Sequence, residues 1–91
     1  MEKYAEAATK IISEQEQVIG PLAFDLARRA GGVGIGVNKE VSITGDPKSA
    51  LDNLVKQYYL LFGNTSIEVS KHALRGLKNT FGIDDLPSIL K

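Results

Sequence analysis

The stretch Gly31-Gly32-Val33-Gly34-Ile35-Gly36-Val37-Asn38-Lys39-Glu40-Val41-Ser42-Ile43-Thr44-Gly45-Asp46 decides the fold class. Val33, Ile35 and Val37 alternate with Gly34 and Gly36, and Val41 and Ile43 alternate with Ser42 and Thr44. Period-two alternation puts β-branched side chains on one face of a strand. Two short strands joined around Asn38-Lys39-Glu40 are therefore expected. Read so, the chain is an α+β domain. Read as a glycine-rich loop, the same stretch leaves an all-α bundle, because the sequence on either side is helical in pattern.

On the N-terminal side, Tyr4, Ala8, Ile11, Ile12, Val18 and Ile19 follow the spacing of one helical face, which predicts a helix over 3–19. Gly20-Pro21 interrupts it. Proline cannot continue a helix, but it fits the first turn of a new one. Leu22, Ala23, Leu26, Ala27 and Ala30 then predict a second helix that stops at Gly31-Gly32.

On the C-terminal side, Asp46-Pro47 is a cap followed by a first-turn proline. Leu51, Leu54, Val55, Tyr58, Leu61 and Phe62 recur every three or four residues, with Tyr59 and Leu60 widening the stripe. Gly63 stops that helix, and Asn64 or Thr65 is expected to cap another over about 66–80. The expected order is helix, helix, hairpin, helix, helix in one domain, 1–91. The expected core is Ile11, Val18, Leu22, Leu26, Leu51, Leu54, Val55, Tyr58, Leu61, Ile67, Leu74, Leu77 and Phe81.

Composition narrows the function. The 91 residues carry 11 Lys+Arg against 11 Asp+Glu, so no basic excess exists to neutralise phosphates. This argues against nucleic acid as a partner and against docking to an anionic membrane. With no cysteine and one histidine, thiolate or His-rich metal sites cannot form, and neither a metal nor another cofactor is expected. No apolar run is long enough to span a bilayer, and no secretory leader is visible, so a soluble, cytoplasmic protein is expected.

No catalytic constellation emerges. The P-loop needs Gly immediately before Lys and then Ser or Thr, whereas Val37 and Asn38 separate Gly36 from Lys39 and Glu40 follows. The dinucleotide fingerprint begun by Gly32 and Gly34 needs a third glycine where Val37 stands. Glu14 and Glu16, and Asp84 and Asp85, lack partners that would tune them for acid–base work. The expectation is not an enzyme.

His72 is the one chemically suggestive residue. At about 100° per residue it falls about 160° from Leu74, on the outer side of its helix. Arg75 flanks it at i+3 and Gly76 at i+4. An exposed imidazole with a cation and a bare glycine beside it suits a phosphoryl acceptor. His72-Ala73-Leu74-Arg75-Gly76, followed by Thr80-Phe81-Gly82-Ile83, resembles the phosphorylation-site helix of histidine phosphotransfer domains. The resemblance covers residues 72–83. It implies a four-helix bundle and signal transduction, with His72 as phospho-acceptor, Arg75 as the phosphate-proximal cation and Gly76 as clearance.

Two other readings stand beside it. The wide apolar stripe offers more surface than a chain this short can hide. A small non-enzymatic interaction or regulatory module is therefore expected, docking a second copy of itself or another protein through Tyr58, Tyr59, Leu60 and Phe62. Hairpins of two copies pairing edge to edge would be one way to do so. Alternatively, Gly63-Asn64-Thr65 has the length of a helix-turn-helix connector, with Lys71, Arg75 and Lys78 aligned on the second helix.

Overall fold

A computed structural model describes residues 3–77 and 82–91. The described chain has four helices, α1 (Lys3–Ile19), α2 (Leu22–Arg29), α3 (Pro47–Phe62) and α4 (Asn64–Leu74), with a hairpin of β1 (Val33–Ile35) and β2 (Val41–Ile43) between α2 and α3. Short 3-10 turns follow at Arg75–Leu77, Ile83–Asp85 and Ser88–Leu90. The chain is thus mostly helical with one small two-stranded sheet. The all-α alternative is set aside by the hairpin, which also departs from the bundle that the phosphotransfer resemblance implies.

The strands pair antiparallel, Val33 with Ile43, Gly34 with Ser42 and Ile35 with Val41. The turn sits earlier than the alternation suggests. Lys39 N–H donates to Gly36 O at 3.0 Å and Gly36 N–H to Glu40 O at 2.9 Å, with Lys39 left-handed at φ 65°. Val37 therefore belongs to the turn, almost wholly exposed, and not to a strand. The Glu40 carboxylate takes the Asn38 N–H at 3.0 Å, which uses the acid to close the turn.

Helix ends follow their local chemistry. Asp46 accepts from the Ser49 N–H at 3.1 Å and from its hydroxyl at 2.7 Å. These bonds hold the Asp46 carboxyl below the usual carboxylate range. Gly20 (φ 72°) and Gly63 (φ 67°) end α1 and α3 in the left-handed region that glycine tolerates. Gly63 is the whole joint between α3 and α4. Asn64 and Thr65 lie inside α4 and neither caps it. That connection is too short for the three- to four-residue turn of a helix-turn-helix pair.

In the core, α1 packs on α2, α4 and β2, and α3 packs on α2, α4 and β1. Tyr58 is fully buried and donates its hydroxyl to Ala23 O at 2.8 Å, tying α3 to α2. It is therefore a core residue and not part of an exposed interface, and burial pushes its phenol upward. Gln15, also buried, donates to Ser66 O at 3.0 Å and to Ser70 Oγ at 3.2 Å. Ser70 donates to Ser66 O at 2.9 Å. The inward face of α4 is Ser66, Ser70, Ala73 and Leu74. Ile67, expected in the core, packs only at its margin. Phe81, Thr80 and Lys78 lie outside the described residues.

Gln15→Ala removes two buried hydrogen bonds and opens a void, and should cost about 2–4 kcal/mol in urea unfolding. Ser70→Ala leaves the Gln15–Ser66 bond in place and should cost about 1 kcal/mol. Equal losses, or the reverse order, would show that Gln15 does not fasten α1 to α4.

Candidate functional site

Three residues expected in the core are not covered. Val18 is 60% exposed, Leu61 58% and Leu22 39%, and their neighbour in the stripe, Phe62, is 40% exposed. Helical phase does not explain this. At about 100° per residue, Val18 lies about 20° from the buried Ile11, and Leu22 about 40° from the buried Leu26. Leu61 and Phe62 lie about 60° and 40° either side of the buried Tyr58. All four point to the core side of their helices. They are exposed because the stripes run one turn past the last layer of side chains that could cover them.

The chain turns back at this end. α1 stops at Gly20 and α3 at Gly63, so neither helix continues far enough to close over the other. Between them lies a slot of about 240 Å3, walled by Val18, Ile19, Phe62 and Val69, with Gln15, Thr65 and Ser66 completing its lining. The slot is apolar apart from that lining and bears no charge. Residues 17–24 and 57–67 contain no Asp, Glu, Lys or Arg, although charged residues make up 24% of the chain. A partner steered by charge would find nothing to read here. An apolar partner would find the missing layer of a core.

The expected interface residues divide between these surroundings. Phe62 lines the slot. Tyr59 and Leu60 are exposed on the same last turns of α3, with Leu60 about 160° round the helix from Phe62. Tyr58 is interior. The signal that could have located the open end is present in the sequence as two charge-free runs that span Gly20-Pro21 and Gly63.

His72 lies elsewhere, exposed on α4. Arg75 Nη1 is 3.5 Å from its Nδ1, and a Cβ placed on Gly76 would meet nothing within 4 Å. The three residues are thus gathered on one exposed patch. Asp85, by contrast, is structural. Its Oδ2 accepts the Gly82 N–H at 2.9 Å and its Oδ1 meets Lys3 Nζ at 3.1 Å, which together hold its carboxyl low.

A wider groove of about 610 Å3 lies along α3 and the C-terminal turns, with Lys48, Lys56 and Lys91 on its walls. Lys56 is tied to Asp52 at 2.8 Å, and among the described residues no buried side-chain polar atom is left without a partner. Among the described residues no group of side chains could hold a metal ion, and no helix is long and apolar enough to cross a membrane. Comparison with known proteins finds no matching family model, curated protein or solved structure.

If the open end lies outside the monomer's own core, truncation there should be mild. In dilute protein Val18→Ala should change unfolding free energy by less than about 1 kcal/mol, while Ile12→Ala should cost about 2–5 kcal/mol. A Val18→Ala loss as large as that of Ile12→Ala would place Val18 back in the core.

Proposed function

We propose that this chain is a small non-enzymatic interaction module that docks a protein partner through its open, uncharged end. The observation that supports it is the set of core-facing residues left uncovered, Val18, Leu22, Leu61 and Phe62, of which Val18 and Phe62 line one slot. Isolated exposed apolar residues are ordinary, but a contiguous group aimed at a core marks an interaction surface. Burying such residues stabilises a complex by about 25 cal/mol per Å2 of apolar area, before association costs are subtracted. The polar part of the lining, Gln15, Thr65 and Ser66, is neutral and leaves no charge to strand on burial.

The test is a photo-reactive benzoylphenylalanine at position 62, introduced in cells that express the protein. A discrete cross-linked product is expected from position 62 and none from position 37, although Val37 at the hairpin tip is the more accessible of the two. Equal labelling from both positions, or none from position 62, overturns the reading.

A second reading rests on the patch of His72, Arg75 and Gly76. An exposed imidazole with a guanidinium 3.5 Å away and open space over Gly76 suits transient phosphorylation by a partner's active site. Phosphoryl transfer from a phosphorylated receiver domain should then label the chain, and His72→Gln should abolish the label with the circular dichroism spectrum unchanged. Labelling that survives the substitution removes His72 from the role. The helix-turn-helix reading has no such support, because α3 and α4 share a one-residue joint and Lys78 lies outside the described residues.

A further inference from the structure

The open end has the features of a surface that meets its own copy. We propose that two copies of this chain close the end about a two-fold axis, each seating Leu61 in the slot of the other. This rests on the reading of that end as a docking surface and names its occupant.

Charge is the first argument. In a two-fold interface the same patch lies on both sides, so any net charge on it would be set against itself. Like charges so placed oppose association. None of the residues that line the slot is charged, and the adjoining stretches 17–24 and 57–67 contain no Asp, Glu, Lys or Arg. The formal net charge of the whole chain is also zero, so two copies approach without long-range repulsion. A different protein would impose no such neutrality, and a charged rim would even help to select it.

Shape is the second. A volume of about 240 Å3 falls below the roughly 300 Å3 at which small-molecule sites begin. It suits a single aliphatic or aromatic side chain. Leu61 is beside the slot without lining it, more than half exposed, and adjacent in sequence to Phe62 in the wall. Knob and part of the hole are thus contributed by consecutive residues of the last turn of α3. A two-fold axis between them brings each knob to the other copy's hole, since residue i meeting j implies j meeting i.

Polarity is the third. Gln15 lines the slot and spends its amide hydrogens on Ser66 and Ser70. The site can therefore receive an aliphatic group against its walls without leaving the Gln15 amide hydrogens orphaned.

The experiment uses the full chain in sedimentation equilibrium at tens of micromolar. The wild type is expected at twice the chain mass. Leu61→Asp should weaken the dimer by about 100-fold or more, as loss of a central anchor does. Val18→Lys, in the opposite wall, should also give a monomer. Mixing the two variants should restore the dimer. In the heterodimer the introduced carboxylate of one copy faces the introduced ammonium of the other at one contact, and Leu61 still meets Val18 at the second. Val37→Ser removes a still more exposed apolar side chain at the hairpin tip and should leave the mass unchanged. Circular dichroism confirms that each variant is folded.

A monomeric wild type overturns the two-copy proposal. The interaction reading then stands or falls separately on the cross-link from position 62. A dimer that ignores Leu61→Asp, or variants that fail to recover when mixed, also overturns it. So does a monomer that sediments with neutral phosphatidylcholine vesicles through this end.

Discussion

Gln15 donates its two amide hydrogens across the α1–α4 contact, one to the Ser66 carbonyl and one to the Ser70 hydroxyl. An apolar seam alone would let one helix slide on the other, since burial has no direction. A buried amide does not. Moving α1 by a turn would strand the donors away from water, at about 1–3 kcal/mol for each group left unpaired. The small side chains of Ser66 and Ser70 leave room for the carboxamide, and Ser66 in turn donates to Gly63 O at 2.7 Å. One network thus holds α1, the start of α4 and the joint from α3 together. That fixed arrangement puts the last turn of α1 beside Phe62 and leaves the slot between them.

The two glycine turns complete the geometry. Gly20 and Gly63 reverse the chain at the point where the helical stripes still have residues to bury. At the opposite side of the molecule the chain covers itself. Leu90 is buried, the 3-10 turn Ser88–Leu90 lies against α3, and Tyr4 donates to Asp85 O at 3.0 Å. The contrast between the two ends is what gives the exposed residues meaning. One end is closed by the chain's own tail, and the other is left as an unfinished layer.

Much of this was legible in the residues, and the failures have a common cause. Alternation identified the strands, and Asp46-Pro47 identified the start of α3. Lys39 in the left-handed region was not foreseeable, because alternation extends through Val37 and gives no sign that Glu40 will close the turn. On α4 the apolar pattern centres on Leu74 and Ile67, whereas the helix turns Ser66 and Ser70 inward to meet Gln15. Buried serines look like surface until their partner on another helix is known. The outward placement of His72 survives this rotation, because about 40° of error leaves it far from the inner face. Val18, Leu22 and Leu61 are a different case. Their phase was read correctly. Periodicity states which way a side chain faces, and it cannot state whether anything stands there.

That distinction also separates two routes by which the proposed self-association could run. Hairpin edges could pair between copies, but each strand has three residues and the hairpin lies against α1, α2 and α3. An edge so short offers few hydrogen bonds, and each nets about 0.5–1.5 kcal/mol because water already satisfies the free groups. Side chains at the open end have no such compensation in water. Every buried methylene there contributes about 0.8 kcal/mol, and Val18, Leu22, Leu61 and Phe62 supply many. The residues that a lone chain cannot finish burying are therefore the ones with most to gain from a second chain. The hydrogen-bonded Gln15 network holds the last turn of α1 in place beside Phe62.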